Sequence, residues 1–472
     1  MSSLLHGEPR TIAEASQRTE PRLVPRWWRY ASAIAAWAVL LFVAALWTSD
    51  GGIQNLWTGT SDALTSVGRL TGLLASASLL LQVFLMARVP WIERAWGQDE
   101  LTRVHRLVGF TSFTLMLAHI GLIVLGYAAA DPTKVWDTIV DLTIDYPGVL
   151  LAVAGTLALI LVVITSARAA RRRLRYESWH LIHLYAYLGA GLALPHQLWS
   201  GEDFLKSTAA TIFWWTLYIG CAGSVLLWRI ALPLWASARA NIRVVHVRCE
   251  PGNAVTVTVA GPGVEHLRAQ GGQYFQWRFL TGPGWTRAHP YSLSAAPDAT
   301  TLRFTAAVLG DGTAELTTLQ PGTRVLVEGP YGRMHAGTRT RSKTLLIGAG
   351  IGITPIRSLL ESLPQQPGEV MVVHRVRSVD EAVLSHEIHD LARERGADYR
   401  VVEGRRIPDR DSWLPVHANN WDDTAALLYM CPDAAERDIF ICGPDPWTEA
   451  VRRAARQAGT PAERIHSESF HL

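Results

Sequence analysis

Six long apolar segments occupy the first half of this 472-residue chain and constrain its fold more than any other feature. A bilayer core is about 30 Å thick, and a helix needs about 20 mostly apolar residues to cross it. The segments lie at approximately residues 30–47, 67–87, 104–126, 147–165, 179–199 and 211–232. The sequence therefore predicts a six-helix transmembrane bundle, and from about residue 240 its composition becomes that of a soluble α/β protein.

The charges of the connecting loops predict the orientation of these helices. Arginines follow the second and fourth segments: Arg88, Arg94, Arg103, Arg106, Arg168, Arg171, Arg172, Arg173 and Arg175. The loops on the other side hold only Lys134 and Lys206, among several acidic residues. Basic loops stay in the cytoplasm. We therefore expect a plasma-membrane protein with both termini in the cytoplasm. The polar first 25 residues, which lack a signal peptide's apolar stretch, should form a cytoplasmic tail.

Histidines in the third and fifth segments are the candidate metal ligands. They are His105, His119, His180, His183 and His196. An ionisable side chain within a bilayer is costly and is a functional hypothesis by default. Imidazole is a common axial ligand of haem iron. The alternatives are hydrogen bonds to neighbouring helices, quinone contacts or a proton relay. The net charge of +3 gives no reason to expect nucleic acid as a partner.

The spacing of these histidines predicts two sites at different depths. His105 and His119 are 14 residues apart, about 21 Å along a helix, and face nearly the same side. His183 and His196 are 13 apart, and on an ideal helix they differ by roughly 140° in direction. Pro195 must distort the helix if they are to share a face. Because the two segments run in parallel, His105 should pair with His183 and His119 with His196. His180 remains an alternative inner ligand.

This arrangement resembles the ferric reductase and NADPH oxidase family, in which spacings of 14 and 13 on alternate helices hold two b-type haems. The resemblance implies that His105, His119, His183 and His196 bind haem iron. Arg69, at the outer end of the second segment, resembles a family arginine near the outer haem. The alternative for Arg69 is an interfacial side chain that extends to water.

Three short strings in the next part of the chain suggest a flavin site in a small antiparallel β-barrel. They are His289-Pro290-Tyr291-Ser292-Leu293-Ser294, Leu309-Gly310-Asp311-Gly312-Thr313 and Glu328-Gly329-Pro330-Tyr331-Gly332. Tyr291 can lie against a flavin ring, Ser292 can bond its polar edge, and Thr313 can begin a helix that faces a pyrophosphate. As an ordered set, the strings resemble the ferredoxin-NADP reductase superfamily, which implies bound FAD.

The last part of the chain carries the motifs of a nicotinamide-binding α/β domain. An apolar strand runs into a glycine-rich turn and then a helix, which exposes N–H groups to a phosphate. The turn is Gly348-Ala349-Gly350-Ile351-Gly352-Ile353-Thr354-Pro355. Arg375 and Arg377 follow a second strand and could pair with the 2′-phosphate of NADPH, although NADH remains possible.

Two further features of this domain point to the nicotinamide site. Cys442-Gly443-Pro444 matches the family's motif beside the nicotinamide, with a purely structural Cys442 as the alternative. Phe470, three residues from the end, resembles a late family aromatic. We expect it to cover the FAD ring and to be displaced by nicotinamide. A frayed terminus is the alternative.

Together these motifs predict four regions and one electron path. The regions are a tail at 1–25, a six-span domain at 26–235, an FAD domain at 236–338 and an NAD(P)H domain at 339–472. Electrons should pass from cytoplasmic NAD(P)H through FAD and two b-type haems to an outer acceptor, either oxygen, giving superoxide, or a ferric chelate. A quinone or a periplasmic partner protein is an alternative acceptor. A non-enzymatic redox sensor is a second alternative, against which the intact motifs argue.

Overall fold

A computed structural model describes residues 27–167, 170, 174, 176–282, 285 and 287–469. The chain divides into two compact units. The helical unit comprises Val24–Ala231, and the two-sheet unit is formed mainly by Leu232–Leu472.

The helical unit contains long helices joined by short ones. They are α1 (Trp27–Ser49), α2 (Gly52–Asn55), α3 (Thr60–Leu85), α4 (Pro90–Trp96), α5 (Gln98–Tyr127), α6 (Val135–Asp145), α7 (Val149–Ser166), α8 (Tyr176–Trp199), α9 (Glu202–Leu205) and α10 (Thr208–Ser224), which continues as a π-helical stretch (Val225–Ala231). Within the described residues, five helices are long and apolar enough to cross a membrane. These are Trp27–Ser49, Thr60–Leu85, Glu100–Tyr127, Val149–Ser166 and Thr208–Ala240. The sixth predicted span falls in α8, which has 24 residues but is made less apolar by its histidines and tyrosines.

The side chains of this unit are distributed as expected for contact with lipid. Apolar residues such as Leu150 and Ile219 are 66% and 64% exposed, whereas Ser76 is buried. Small residues let helices approach closely, as in other membrane bundles. A Cβ atom on Gly155 would lie 2.7 Å from the carbonyl oxygen of Gly189, so α7 and α8 pack backbone against backbone. In the same way, α3 packs along α5.

The first sheet of the two-sheet unit is antiparallel and follows a helix, α11 (Leu232–Ala240). Its strands are β1 (Ile242–Glu250), β2 (Ala254–Ala260), β3 (Tyr274–Phe279), β4 (His289–Ser292), β5 (Thr301–Ala307) and β6 (Arg324–Tyr331), in the order β4-β3-β6-β1-β2-β5. The prediction of a barrel is wrong in this respect, because the sheet is not closed. In the described residues the edge strands β4 and β5 form no ladder with each other. The residues just after β4 reach β5 through the Leu293–Phe304 bridge and through the bond from the Ser294 amide to the Arg303 carbonyl at 2.8 Å.

The second sheet is parallel and carries the nucleotide motifs. Its strands are β7 (Thr344–Ala349), β8 (Val370–Val376), β9 (Asp398–Glu403), β10 (Asp438–Gly443) and β11 (Ile465–Ser469), in the order β11-β10-β7-β8-β9. The associated helices are α12 (Asp311–Ala314), which precedes this sheet, and α13 (Ile353–Ser362), α14 (Ser385–Arg395), α15 (Asp423–Met430) and α16 (Asp445–Gln457). Because β7 and β10 are neighbours, the turns that follow them lie side by side at the carboxyl edge, where α/β sheets bind ligands.

Glu387, on α14, joins the two sheets through arginines from both. Arg303 on β5 donates from Nη2 to its Oε2 at 2.8 Å, and Arg248 on β1 donates to its Oε1 at 2.7 Å. Arg357 on α13 places its Nε 3.2 Å from the same carboxylate. Such charge-assisted bonds are stronger than neutral ones. Glu387 therefore stabilises the contact between the two sheets through three arginines.

Replacing Glu387 by glutamine is expected to lower the free energy of unfolding by about 1–3 kcal/mol, because it weakens several charge-assisted bonds at once. Burial by itself would raise the pKa of Glu387, but the hydrogen bonds and charges of Arg303, Arg248 and Arg357 lower it below its ordinary value. Stability from such a group is present above the unfolded pKa and is lost as the pH falls through the folded pKa. The difference between wild type and variant should therefore shrink as the pH falls below the ordinary glutamate pKa of about 4.3.

Urea denaturation at pH 7 and at acid pH measures this difference. Glu394→Gln is the matched control, because Glu394 lies exposed on the same helix. Equal stability of wild type and Glu387→Gln at pH 7 would show that the Glu387 carboxylate does not stabilise the contact between the two sheets.

Candidate functional site

The four predicted histidine ligands form two facing pairs in the helical unit. The ring centroids of His105 and His183 are 6.1 Å apart, and those of His119 and His196 are also 6.1 Å apart. The first member of each pair lies on α5, which packs mainly along α3, and the second lies on α8, which packs mainly along α7. The structure therefore brings together the pairs predicted from spacing, and it places His183 rather than His180 opposite His105.

Hydrogen bonds to the Nδ1 atoms orient these rings. His105 Nδ1 is 3.0 Å from the Gln82 carbonyl oxygen, and His119 Nδ1 is 2.8 Å from that of Gly68. His183 Nδ1 lies 3.2 Å from the Ser166 hydroxyl. A metal-bound histidine usually donates its second ring N–H to such a group, which fixes the ring and the tautomer. These bonds leave Nε2 of the rings available for a ligand bond.

The residues present fit two haem groups. With metal–imidazole bonds of about 2 Å on each side, two rings on opposite faces of one metal have centroids about 6 Å apart, as both pairs do. Gly72 leaves space beside His119, because a Cβ atom there would lie 2.6 Å from His119 Nδ1. Gly148 has a φ of +82° and no side chain, so the backbone before α7 can lie close to the amide nitrogen of His196. The His196 Nδ1 atom is buried without a hydrogen-bond partner among the described residues.

Arg69 does not extend to water from the end of its helix. It forms a two-point ion pair with Asp203, in which Nε donates to Oδ2 at 2.8 Å and Nη2 donates to Oδ1. The Asp203 side chain is 9% exposed. Asp203 was not among the residues predicted from the sequence, where it counted only as an acidic loop residue.

The predicted flavin strand, β4, presents two buried polar atoms without partners. The ring of Tyr291 stacks on Phe304 at 4.9 Å, and His289 stacks on Tyr291 at 5.9 Å. The Tyr291 hydroxyl and the Ser292 Oγ are buried and have no hydrogen-bond partner in the described residues. Burial raises the pKa of Tyr291 well above its ordinary value, so its phenol stays protonated and can donate. Unpaired buried polar groups are costly, and a bound flavin would satisfy both, so these residues fit FAD.

Other residues of the flavin motifs have internal roles. Ser294 is fully buried, and its Oγ accepts from Thr305 at 2.9 Å and from Arg303 at 3.2 Å. The Ser294 hydroxyl is therefore engaged within the sheet, and its contact with a cofactor stays a prediction. The Thr313 hydroxyl accepts from the backbone amide of Gly310 at 3.1 Å and closes its own loop. Pro290 lies exposed on β4, opposite Gln276.

The Gly310-to-Thr313 loop lies against the flavin strand. A Cβ atom on Gly312 would be 2.9 Å from His289 Cε1, whereas Gly310 has open space around it. Gly312 therefore allows the loop to approach β4, the strand that carries the Tyr291 and Ser292 hydroxyls.

The glycine-rich turn after β7 packs directly on the Cys-Gly-Pro loop after β10. A Cβ atom on Gly352 would lie 2.6 Å from the carbonyl carbon of Cys442, and one on Gly443 would lie 3.0 Å from Ala349 Cβ. Gly350 has a φ of +53°, which favours glycine. Thr354 Oγ1 donates to the Ile351 carbonyl at 3.0 Å, while Thr354 and Pro355 are buried in the first turn of α13. Pro444 precedes α16.

Cys442 is a buried, neutral thiol between two partner strands. It pairs with Gly348 of β7 and with Glu468 of β11. Burial, and secondarily the charge of Glu468, raises the pKa of Cys442 well above its ordinary value. Glu468 Oε1 accepts from the amide of Arg333 at 2.8 Å. Glu468 was not among the residues predicted from the sequence, where its position two residues before Phe470 is the only local signal for it. Phe470 itself lies outside the described residues.

The two arginines predicted to bind a 2′-phosphate have different environments. Arg375 is 8% exposed and donates to backbone carbonyls, among them Gly404 at 2.7 Å, Trp413 at 3.3 Å and Arg405 at 3.3 Å. The Arg375 guanidinium therefore holds the loop after β9, and its pairing with a 2′-phosphate stays a prediction. Arg377 is exposed at the end of β8.

Comparisons with known proteins match both halves of the chain. The family described as "Ferric reductase like transmembrane component" matches residues 71–194, and "Oxidoreductase NAD-binding domain" matches residues 346–453. The chain joins a ferric-reductase-like transmembrane component to an FAD- and NAD-binding oxidoreductase domain. It is a membrane oxidoreductase, and the resemblance inferred from the sequence is confirmed.

Individual relatives match about half of this chain. The stachydrine N-demethylase reductase subunit Stc4 of Rhizobium meliloti (strain 1021) is 29% identical over 246 residues, which are 51% of this chain and 68% of that protein. Ferredoxin--NADP reductase B of Sorangium cellulosum (strain So ce56) is 28% identical over 252 residues, 48% of this chain and 99% of that protein. The FAD/NAD-binding domain of nitric oxide dioxygenase from Vibrio cholerae O1 biovar El Tor is 22% identical and covers 49% of this chain and 99% of its own, with a TM-score of 0.39.

The chain spans 68%, 65% and 57% of the lengths of three reductase components that it resembles.

Replacing Gly352 by alanine is expected to reduce NAD(P)H affinity at least about tenfold, because the new methyl group would collide with the backbone of Cys442 and displace the phosphate-binding turn. Equilibrium titration of the flavin spectrum with a nonreducible nicotinamide analogue measures the affinity. Gly223→Ala is the control, since a Cβ atom there meets nothing within 4 Å. Unchanged affinity in Gly352→Ala would show that the turn does not hold the nucleotide.

Proposed function

We propose that this protein carries electrons across a membrane, from cytoplasmic NAD(P)H through FAD and two b-type haems to an acceptor on the outer side. The observation that supports this most strongly is the pair of 6.1 Å imidazole separations. Within each helix the two histidines differ by about 20 Å in depth. Two such pairs in series, in a chain with a flavin and nicotinamide domain, suit a transmembrane path.

When bound, FAD and haem supply hydride acceptance and single-electron transfer, and the protein supplies binding, orientation and electrostatics. The N–H groups of the Gly348–Pro355 turn hold the nucleotide phosphates at the start of α13. Gly443 and Pro444 bring the chain close to the nicotinamide, beside the neutral thiol of Cys442. Tyr291 and Ser292 donate to the flavin from the strand that carries them.

The histidines would hold the haem irons from opposite sides. His105 and His183 form the inner site, and His119 and His196 form the outer site. The carbonyls of Gln82 and Gly68 orient the α5 rings, since each accepts from a histidine Nδ1. Two imidazoles leave iron six-coordinate, which suits electron transfer.

The location and the acceptor are part of the proposal. The protein spans the plasma membrane six times with both termini in the cytoplasm, as the arginine-rich loops indicate. We assign residues 26–235 to the membrane, 236–338 to FAD and 339–472 to the nicotinamide. Oxygen or a ferric chelate is the proposed acceptor. A partner protein is the second candidate, because several relatives are named as reductase subunits or components.

Replacing His183 by alanine is expected to remove the inner haem, whereas His180→Ala, one turn away, should retain both. His119→Ala should remove the outer haem and leave transfer from NAD(P)H to FAD intact, because the flavin and nicotinamide residues are untouched. Haem-to-protein ratios and the reduced absorption spectra of purified variants measure these effects. Two haems in His183→Ala, or none in the wild type, would refute the ligand assignment.

Arg377→Ala is expected to lower kcat/KM for NADPH about tenfold and to leave NADH unchanged, since a charge-assisted bond contributes about 1.5–3 kcal/mol. Arg375→Ala should instead destabilise the domain, because its guanidinium holds backbone carbonyls. Steady-state kinetics with both donors distinguish the two roles. Arg393→Ala, an exposed arginine on α14, is the control. Equal loss with NADPH and NADH in Arg377→Ala would show that Arg377 does not recognise the 2′-phosphate.

A further inference from the structure

Helix α13 (Ile353–Ser362) begins at the glycine-rich turn and contacts the residues that follow the flavin strand β4. Its residues from Ile353 to Leu360 are buried. Ser358 is fully buried and comes three residues after Pro355 of the turn, which is about 4.5 Å along the helix. Because so short a piece of helix moves as one body, a contact that fixes Ser358 also fixes the turn.

The Ser358 hydroxyl joins this helix to two segments of the first sheet. Its Oγ donates to the carbonyl oxygen of Ala295 at 2.7 Å and accepts from the amide of Gly272 at 3.3 Å. Ala295 comes three residues after Ser292 of β4. Gly272 comes two residues before β3, whose first residue, Tyr274, pairs with Ser292. One hydroxyl group therefore contacts the chain at the end of both strands of the β3–β4 ladder.

The backbone of α13 also lies very close to the first sheet at this point. A Cβ atom on Gly271 would be 2.5 Å from the Ser358 carbonyl oxygen and 1.9 Å from Ser362 Oγ. Ser362 Oγ itself donates to the Ser358 carbonyl at 2.7 Å, within α13. The absence of a side chain at Gly271 therefore lets the helix approach near enough for the Ser358 bonds to form.

Glu361, three residues after Ser358, makes a second bond to the segment that follows β4. Its Oε2 accepts from the amide of Ala296 at 2.5 Å and from Nη1 of Arg357. The Arg357 contact holds the carboxylate along the helix, so that it faces the Ala296 amide. Two side chains on one side of α13 thus bond to neighbouring peptide groups of the same loop.

A third connection runs through the arginine cluster. Arg303 Nη2 donates to the Ser294 carbonyl at 2.7 Å and to Glu387 Oε2 at 2.8 Å. Arg357 on α13 places its Nε 3.2 Å from the same Glu387 oxygen. The consecutive residues 294–296 are therefore each connected to α13, directly or through Glu387.

Hydride transfer depends steeply on geometry. The reaction breaks a C–H bond of NAD(P)H, moves the hydrogen with both bonding electrons to FAD, and leaves NAD(P)⁺ and FADH⁻. The reacting atoms must be about 3–3.5 Å apart, and a misplacement of about 1 Å caused by a distant substitution can slow a reaction about 100-fold. The contacts that fix α13 relative to β4 therefore have a direct influence on this step.

We propose that Ser358, assisted by Glu361, is a positioning residue that sets the distance between the nicotinamide and the flavin for hydride transfer. This inference rests on the proposed function, because it assumes that the Gly348–Pro355 turn and β4 bind the two cofactors. The Ser358 hydroxyl is engaged by backbone groups on both sides, so it acts through the helix and the strand that it joins.

Stopped-flow reduction of the flavin separates positioning from binding. Full-length protein in lipid nanodiscs is mixed anaerobically with increasing NADPH, so that the limiting rate reports hydride transfer and the concentration dependence reports Kd. In Ser358→Ala the limiting rate should fall at least about tenfold, whereas Kd should change less than about twofold. Ser362→Ala is the matched control, because its hydroxyl donates within its own helix, and it should keep the wild-type rate.

An unreactive complex gives a readout that is independent of turnover. Tetrahydro-NADP cannot donate hydride, and its ring gives a long-wavelength charge-transfer absorption when it lies against an oxidised flavin. At saturating analogue, this absorption should lose about half or more of its intensity in Ser358→Ala, because the two rings are no longer held in register. An absorption of wild-type intensity in this variant would contradict the inference.

Glu361 offers a second pair of variants that does not depend on the folding of Ser358→Ala. Glu361→Ala removes the acceptor of the Ala296 amide and should slow the limiting rate about tenfold, whereas Glu361→Gln keeps an oxygen acceptor and should stay within about twofold of the wild type. Wild-type limiting rates in both Ser358→Ala and Glu361→Ala, or effects confined to Kd, would overturn the inference. Wild-type protein whose flavin NADPH does not reduce would instead refute the proposed function.

Discussion

The hydrogen bonds from histidine Nδ1 to backbone carbonyls are the interaction on which the helical unit depends. Gly68 and Gln82 accept these bonds on α3, and the rings on α5 therefore turn their Nε2 edges towards α8. The same bonds explain why α3 and α5 must pack closely and why Gly72 has no side chain beside His119. In this unit the small residues allow the helices to pack closely, and the close packing places the backbone carbonyls that orient the histidine rings.

In the two-sheet unit the candidate nucleotide site is built by backbone segments that lie close together, and not by reactive side chains. Gly352 and Gly443 bring the turns after β7 and β10 together, and Cys442 between them is a buried, protonated thiol. Tyr291 and Ser292, on β4, have buried hydroxyls without a hydrogen-bond partner among the residues that the structure describes. Glu387 then ties the flavin sheet to the nucleotide helices. On the proposed function these residues would hold the cofactors, and the cofactors would supply the chemistry.

Patterns with a fixed period were predictable, and contacts between distant segments were not. Helical spacing predicted which histidines face each other, His105 with His183 and His119 with His196. No local pattern indicated that Arg375 points inward to the carbonyls of Gly404 and Arg405, or that Asp203 meets Arg69 across 134 residues of sequence. The open sheet was missed because strand alternation does not specify how the edges pair.

The proposed electron path depends on two haems in each chain, each held between paired histidines. The most direct measurement is the haem-to-protein ratio of purified, cofactor-replete wild-type protein, together with its low-temperature electron paramagnetic resonance spectrum. The account predicts two haems per chain, both low-spin and six-coordinate. A ratio of zero or one, or a high-spin signal with an open coordination position, would contradict it.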